Sequence, residues 1–347
     1  MEPATGDIKA WVGGIDWKHF QYDHVKQGKR QVGSTFKPFV YATAIMNLGM
    51  TPCSTVSNAT YTKGDWVVEG NGGNLTLRDA LAHSKNPVAV RLIESVSPKK
   101  VIQLARDLGV TEEMPNEYAI ALGSTDITIY EMLGAYSSFA NFGNYIKPEM
   151  VWRIEDANGR VIKEVKNETK EVMNEMYAYT MIDLMKGVTR FGTASGELRR
   201  MGIPETVEIA GKTGTTQNNS DGWFMGITPN LATGVWVGWE DRATHFWSTG
   251  EGQGARMALP IWGIFMKKVW ADKELGITPD DKFAKPSNWT GDCADLQGLG
   301  GYGDDGGLQT IDQIKNPKPK DNQPKNNKPK EENLNENLNK DEVDFNQ

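Results

Sequence analysis

The stretch Gly33-Ser34-Thr35-Phe36-Lys37-Pro38-Phe39-Val40-Tyr41-Ala42-Thr43-Ala44-Ile45-Met46-Asn47-Leu48 decides how the rest of the 347-residue chain is read. Proline has no amide hydrogen, so Pro38 is tolerated only in a helix's first turn, where no intrahelical acceptor awaits that hydrogen. The helix therefore starts near Ser34. Phe36, Val40, Ala44, Ile45 and Leu48 make it largely apolar, which predicts burial in a core. A spacing of three sets Ser34 and Lys37 on one face, one turn apart and within hydrogen-bonding reach. Gly33 permits close backbone approach just before the serine. A hydroxyl at a helix start also lies beside backbone N–H groups and the positive end of the helix dipole, both favourable to a developing oxyanion. An ordinary helix cap followed by a surface lysine is the competing reading, and it falls only when the stretch is taken with two others.

The second is Ser84-Lys85-Asn86. Thr76-x-x-Asp79 resembles a capping box opening a helix whose buried stripe is Leu77, Ala80 and Leu81. Pro87 opens the next helix, to about Val96, so the motif occupies a tight connection from which short polar side chains project into a cleft. Capping of the second helix by Ser84 and Asn86 is the plainer alternative. The third is Lys212-Thr213-Gly214-Thr215-Thr216, inside an alternating segment from Val207 to Gln217. Strand-like runs at 221–228 and 231–240 follow, joined by a Pro229-Asn230 turn. Gly214 would let a substrate approach the strand backbone.

Each motif alone is weak: at average usage Ser-x-x-Lys is expected about once by chance in a chain this long, and Lys-Thr-Gly about once in ten such chains. Ser97-Pro98-Lys99-Lys100 is such a chance match, better read as an N-cap and N1 proline before the helix carrying Val101, Leu104, Ala105 and Leu108, closed by Gly109. The argument rests on the order, wide spacing and local context of the three.

In that order the motifs resemble the active-site set of penicillin-binding proteins and class A β-lactamases. Across most of residues 2–285 the likeness is to the transpeptidase domain of bifunctional (class A) penicillin-binding proteins, type 1A-like. It includes Thr5-Gly6-Asp7-Ile8-Lys9-Ala10-Trp11-Val12-Gly13-Gly14, Arg30-Gln31-Val32-Gly33-Ser34-Thr35-Phe36-Lys37-Pro38, Ala121-Leu122-Gly123-Ser124 and Asp221-Gly222-Trp223-Phe224. Val32 stands where many relatives have proline, a change of little chemical weight.

The resemblance implies a serine D,D-transpeptidase. Ser34 would attack the penultimate D-Ala carbonyl of a peptidoglycan stem peptide, releasing terminal D-Ala and leaving an acyl ester. Lys37 would be its base, once burial and the neighbouring cation Lys212 depress its pKa. Ser84 would relay the proton to the leaving amine, and Asn86 would hold the substrate backbone. Thr213, Thr215 and the field of Lys212 would receive the terminal carboxylate of the donor or of a β-lactam antibiotic. The N–H groups of Ser34 and Thr215 would form the oxyanion hole. The amine of a second stem peptide would complete the cross-link. No cofactor and no metal is implied.

The resemblance leaves rivals. A class A β-lactamase also needs Glu-x-x-Leu-Asn between the second and third motifs; here Glu331-Glu332-Asn333-Leu334-Asn335 lies after the third. Class D enzymes usually have valine at the position of Asn86. A D-Ala-D-Ala carboxypeptidase shares every catalytic residue and hands the acyl group to water. A non-catalytic penicillin-sensing module would acylate without turnover.

With 38% hydrophobic and 24% charged residues, the chain can bury one sizeable core or two subdomains. A formal charge of −7 offers no basic face to nucleic acid. The two cysteines, Cys53 and Cys293, and four scattered histidines have no metal-ligand spacing, and a Cys53–Cys293 disulfide is allowed only in an oxidising compartment. The expected organisation is a transpeptidase domain over 1–285, a Gly/Asp-rich transition over 286–315, and a disordered Lys/Asn/Pro/Glu-rich tail over 316–347. No apolar run approaches the roughly 20 residues of a membrane span, and no signal peptide precedes Met1. Relatives would carry an anchor, a glycosyltransferase domain and the rest of a first strand, so Met1 reads as an internal start, the edge of a gene fragment or an artificial boundary. Glycan polymerisation would belong only to a longer parent, at the extracytoplasmic face of the cytoplasmic membrane.

The expected fold is α+β, the serine β-lactamase/penicillin-binding protein transpeptidase fold. Strands near the start (Ile8 to Gly13) and late in the chain (207–240) would meet in one antiparallel sheet flanked by helices. The middle would make a mostly helical subdomain, including a helix opened by the Thr128-x-x-Glu131 capping box and another from Asn174 to Val188. An apolar final helix, Ala255 to Trp270, would pack on the sheet despite Pro260. The active site would lie in the cleft between sheet and helices.

Overall fold

Helix α1 (Lys37–Leu48) is the centre of the core in the computed structural model, which describes residues 1–16 and 18–289. Every residue from Lys37 to Ile45 is buried, as expected of a helix apolar on all sides. The α-helix proper begins three residues later than the sequence suggests, because Gly33–Phe36 form a tighter 3-10 turn. Gly33 opens that turn at φ +53°, a left-handed conformation that favours glycine. Gly49 closes α1 at φ 63°.

Around α1 run strand β1 (Lys29–Gln31), the hairpin β2 (Thr55–Lys63) and β3 (Trp66–Thr76), and helices α2 (Leu77–Ala82), α3 (Asn86–Val96) and α4 (Pro98–Asp107). Strand β4 (Asp126–Thr128) pairs with β1 and leads into α5 (Ile129–Ala140). Four short strands follow: β5 (Asn144–Ile146), β6 (Arg153–Glu155), β7 (Val161–Glu164) and β8 (Thr169–Glu171), paired β5–β8 and β6–β7. Then come α6 (Glu175–Arg190) and α7 (Ser195–Arg200). The caps expected at Thr76 and Thr128 form: each hydroxyl accepts from the backbone N–H three residues on. Asn174 caps α6 in the same way. Ser97 occupies the cap position of α4, but at φ 82° its side chain makes no capping bond.

The main sheet, in the order β11–β10–β9, is antiparallel: β9 (Ala210–Thr215), β10 (Asp221–Ile227), β11 (Ala232–Gly238). After the short helix α8 (Thr249–Gly252), α9 (Gly254–Ala271) packs across all three strands. Alternation explains why β10 is buried throughout. Its Gly222, Phe224 and Gly226 face Met257 and Trp262 of α9, whereas Met225 lies beside Gly234 near Ile129 of α5.

The N-terminal strand expected at Ile8 to Gly13 does not join this sheet. Met1 alone bonds to β11: its amino group donates to Ala232 O at 3.0 Å, and Ala232 N–H donates to Met1 O at 2.9 Å. A turn closed by Gly6 N–H to Glu2 O, with Gly6 at φ 82°, then swings the chain away, and Asp7 makes only an isolated bridge to Glu149. The α+β class holds, but the three strands of the sheet all come from residues 210–238. Apart from Pro286 to Trp289, the transition and tail expected after 285 lie outside the described residues, as does Cys293. Among the described residues no helix is long and apolar enough to cross a membrane.

Phe39 of α1 contacts the rings of Phe36, Tyr136 and Phe139 at 5.2, 5.8 and 6.5 Å between centroids, with none of its surface exposed. Phe39→Ala is expected to cost about 3–5 kcal/mol, read as a lower urea midpoint at unchanged slope.

Candidate active site

The 3-10 turn that carries Ser34 is held from three directions. Val32 N–H donates to Thr125 O at 3.2 Å and Gly33 N–H to Gly123 O at 3.0 Å. The buried Tyr136 hydroxyl donates to Thr35 O at 2.6 Å, and Trp223 Nε1 of β10 donates to Gln31 O at 2.9 Å. A side chain at Gly33 is impossible, since a Cβ there would fall 2.8 Å from Thr215 O. The serine turn therefore abuts the end of β9. Ser34 itself is half-buried.

Arg30 and Asp221 brace this arrangement. Arg30 Nε donates to Asp221 Oδ1 at 2.7 Å across 191 residues of sequence, with the carboxylate fully buried. Trp236 Nε1, at 3.0 Å, and Ser220 Oγ, at 2.7 Å, also donate to that carboxylate. The guanidinium lies over the Trp236 ring. Breaking a buried, multiply bonded pair leaves an uncompensated charge, so this clasp fixes β1 and the serine turn on the sheet.

The expected site residues converge, with one change of partner. Lys37 Nζ makes no hydrogen bond to Ser34. It donates instead to Ser84 O at 2.6 Å and Asn86 Oδ1 at 2.6 Å, and lies 3.1 Å from Ser84 Oγ. Lys212 Nζ reaches the same hydroxyl from the opposite side, at 2.9 Å, and donates to Thr213 O at 3.1 Å. One serine oxygen thus sits between two ammonium groups. Ser84 is aimed there by a left-handed backbone, φ 55°, a strained conformation for a non-glycine residue. Its loop is shaped by Ser84 N–H to Leu81 O and Lys85 N–H to Ala80 O, and neither Ser84 nor Asn86 caps α3, whose cap position is Lys85.

Both lysines have no exposed surface. Burial, then the charge of Lys212, then that of Lys85 hold Lys37 well below the usual lysine range. Burial alone pushes Lys212 down to about 7. Both lysines are thus held below their ordinary range, and only Lys37 carries the added repulsion of neighbouring cations.

Strand register supplies the remaining groups. Thr216 N–H donates to Asp221 O, so 216 and 221 form a bonded pair. Pairs alternate in an antiparallel ladder, which makes Thr215 and Gly222 a non-bonded pair and turns the Thr215 N–H outward. Because β9 is the edge strand, that N–H points away from the sheet. Thr215 Oγ1 accepts from Gly254 N–H at 3.0 Å, leaving its own hydrogen to donate. Thr213 Oγ1 lies 2.7 Å from Thr193 Oγ1.

Residues 1–243 match the penicillin binding protein transpeptidase domain family. The chain belongs to that family. Among its relatives are penicillin-binding proteins 1A of Aquifex aeolicus, 36% identical over 81% of this chain and 39% of the relative, and of Neisseria meningitidis, 34% identical over 79% and 36%. The chain therefore spans less than two fifths of these relatives' length. Penicillin-binding protein 1A of Haemophilus influenzae superposes with a TM-score of 0.72 at 25% identity, over 83% of this chain and 48% of that one. PonA1 of Mycobacterium tuberculosis in complex with penicillin V superposes at 0.70, also at 25% identity, over 83% and 79%. The type 1A likeness and the fold read from the motifs are both borne out.

In this penicillin-binding transpeptidase domain, sequence reasoning missed the bracing residues. Arg30 and Asp221 were part of the family likeness, but nothing in the motifs joined them. Thr193 and Tyr136 belong to no motif and carry no local signal.

The depressed lysines set a stability prediction. Lys212 titrates at about 7 when folded against 10.5 when unfolded, so between these values the unfolded chain binds more protons and stability rises with pH. Lys212→Met is expected to stabilise the fold at pH 7 by a few kcal/mol, the advantage shrinking toward pH 10 in urea titrations.

Proposed function

We propose that this chain is a serine D,D-transpeptidase domain that cross-links peptidoglycan stem peptides through an acyl-enzyme on Ser34, at the extracytoplasmic face of the membrane. The observation that carries the reading is the Ser84 hydroxyl held between Lys37 and Lys212, both fully buried.

Acylation follows from that charge distribution. Neutral Lys37 takes the Ser34 proton as Oγ bonds to the penultimate D-Ala carbonyl carbon. The Ser34 and Thr215 N–H groups receive the oxyanion. As the tetrahedral centre collapses, the C–N bond to the terminal D-Ala breaks. The leaving nitrogen takes a proton from Ser84 Oγ, which is resupplied by Lys37 at 3.1 Å. Lys212 keeps its proton and, with the Thr213 and Thr215 hydroxyls, holds the terminal carboxylate. Asn86 has its carbonyl oxygen engaged by Lys37, which leaves its amide hydrogens for the donor backbone. The outward edge of β9 offers unpaired backbone groups to an extended peptide, as in strand addition.

A β-lactam carries the same acyl centre and carboxylate, and PonA1, a structural neighbour, is known in complex with penicillin V. Deacylation by water instead of an amine would make the domain a D-Ala-D-Ala carboxypeptidase. The Glu331 to Asn335 match lies after the third motif, where it could not serve a β-lactamase, and outside the described residues.

Intact-mass spectrometry after brief benzylpenicillin exposure is expected to show one persistent adduct mapped to Ser34, absent in Ser34→Ala. Normal labelling of Ser34→Ala, or rapid drug hydrolysis without an adduct, would sink the reading. Lys37→Ala should acylate about 10²–10⁴-fold more slowly.

The pH dependence of second-order acylation reports the free enzyme. The rate should climb with pH as Lys37 loses its proton, then fall above about 7 as Lys212 loses its own. A profile flat from pH 6 to 9 would contradict this assignment of the two protons.

A further inference from the structure

The turn leaving α6 touches both walls of the cleft. Thr193 N–H donates to Ala82 O at 3.0 Å, two residues before Ser84, while Thr193 Oγ1 lies 2.7 Å from Thr213 Oγ1 on β9. Gly192 presses on the same carbonyl: a Cβ there would fall 2.2 Å from Ala82 O. Thr189 Oγ1 at the end of α6 donates to Ile209 O at 2.6 Å, just ahead of β9. Thr193 therefore bonds to the Ser84 loop through its backbone and to the lysine-bearing strand through its hydroxyl. None of the acylation steps above uses it.

Two hydroxyls at this separation share one hydrogen. Were Thr213 the donor, its lone pairs would be all it had left for a ligand, and a carboxylate only accepts. With Thr193 as donor, the Thr213 hydrogen is free for the anion, and the chain of hydrogen bonds polarises in the direction that strengthens it.

We propose that Thr193 is a positioning residue whose hydroxyl donates to Thr213 Oγ1 and so commits the Thr213 hydrogen to the substrate's carboxylate. The inference rests on the carboxylate recognition assigned above to Thr213. It predicts an effect on anion binding, not on the bond-making step.

Thr193→Val keeps shape and backbone N–H and removes the hydroxyl; Thr193→Ser keeps the hydroxyl. The experiment measures, for benzylpenicillin and for its carboxyl methyl ester, the dissociation constant before acylation and the acylation rate constant separately. Thr193→Val should weaken binding of the acid about tenfold, leave its acylation rate constant within about twofold, and leave the ester unaffected, with Thr193→Ser restoring the acid. Equal losses for acid and ester, or no loss for either, would overturn the proposal. Thr213→Val, run in parallel, separates the two levels. If it discriminates acid from ester and Thr193→Val does not, only the role of Thr193 falls. If Thr213→Val does not discriminate either, the carboxylate reading falls with it.

Discussion

Two ammonium groups around one hydroxyl, in a cleft from which burial removes water, cannot both stay charged. Desolvation disfavours each ion, and the charge of either raises the cost of the other. Burial depresses both, and Lys37, at the first turn of α1, is pushed down further by the charges of Lys212 and Lys85. On the proposed mechanism, two chemically identical side chains would serve as base and cation, distinguished only by position. The fold is organised to hold this unfavourable grouping: a helix buried from Lys37 to Ile45 supplies one lysine, a covered sheet the other, and a loop strained at Ser84 the hydroxyl between them.

Holding three distant segments in register falls to residues that do no chemistry. The Arg30–Asp221 pair and the Trp223 indole fix the approach to Ser34 on β10, and Tyr136 fixes it from α5. Glycines remove side chains where backbones meet. A Cβ at Gly214 would strike Thr35 and Val32, and one at Gly254 would lie 2.3 Å from Gly214 O. The closeness of the serine turn, β9 and α9 is therefore a backbone property, and it tolerates no added methyl group.

Much of this was legible because it is local. Pro38 bounded the start of α1, Thr76, Thr128 and Asn174 announced their helices, and the Pro229-Asn230 turn separated two strands. The site residues were legible because their order and context matched a known family. What escaped was non-local or geometric. Ser34 and Lys37 sit one turn apart, yet Lys37 turns to Ser84 because the 3-10 turn and the Ser84 loop bring better acceptors to its nitrogen. Ile8 to Gly13 alternates like a strand, but the Gly6 turn takes it off the sheet. Thr193 touches Thr213 through a fold-back of twenty residues that no pattern encodes.

The uncovered edge of β9 has another side. If β9 receives a peptide as proposed, it must stay unpaired, and it carries neither a proline nor a bulge to guard it against self-association. Here the guard is steric. The serine turn abuts one end of the row, the helix start at Gly254 bonds to the hydroxyl of Thr215, and the Ser84 loop stands opposite. These three neighbours crowd the row from its end and its sides. On the proposed function, the walls that assemble the reaction would also obstruct pairing of this edge with the sheet of a second copy.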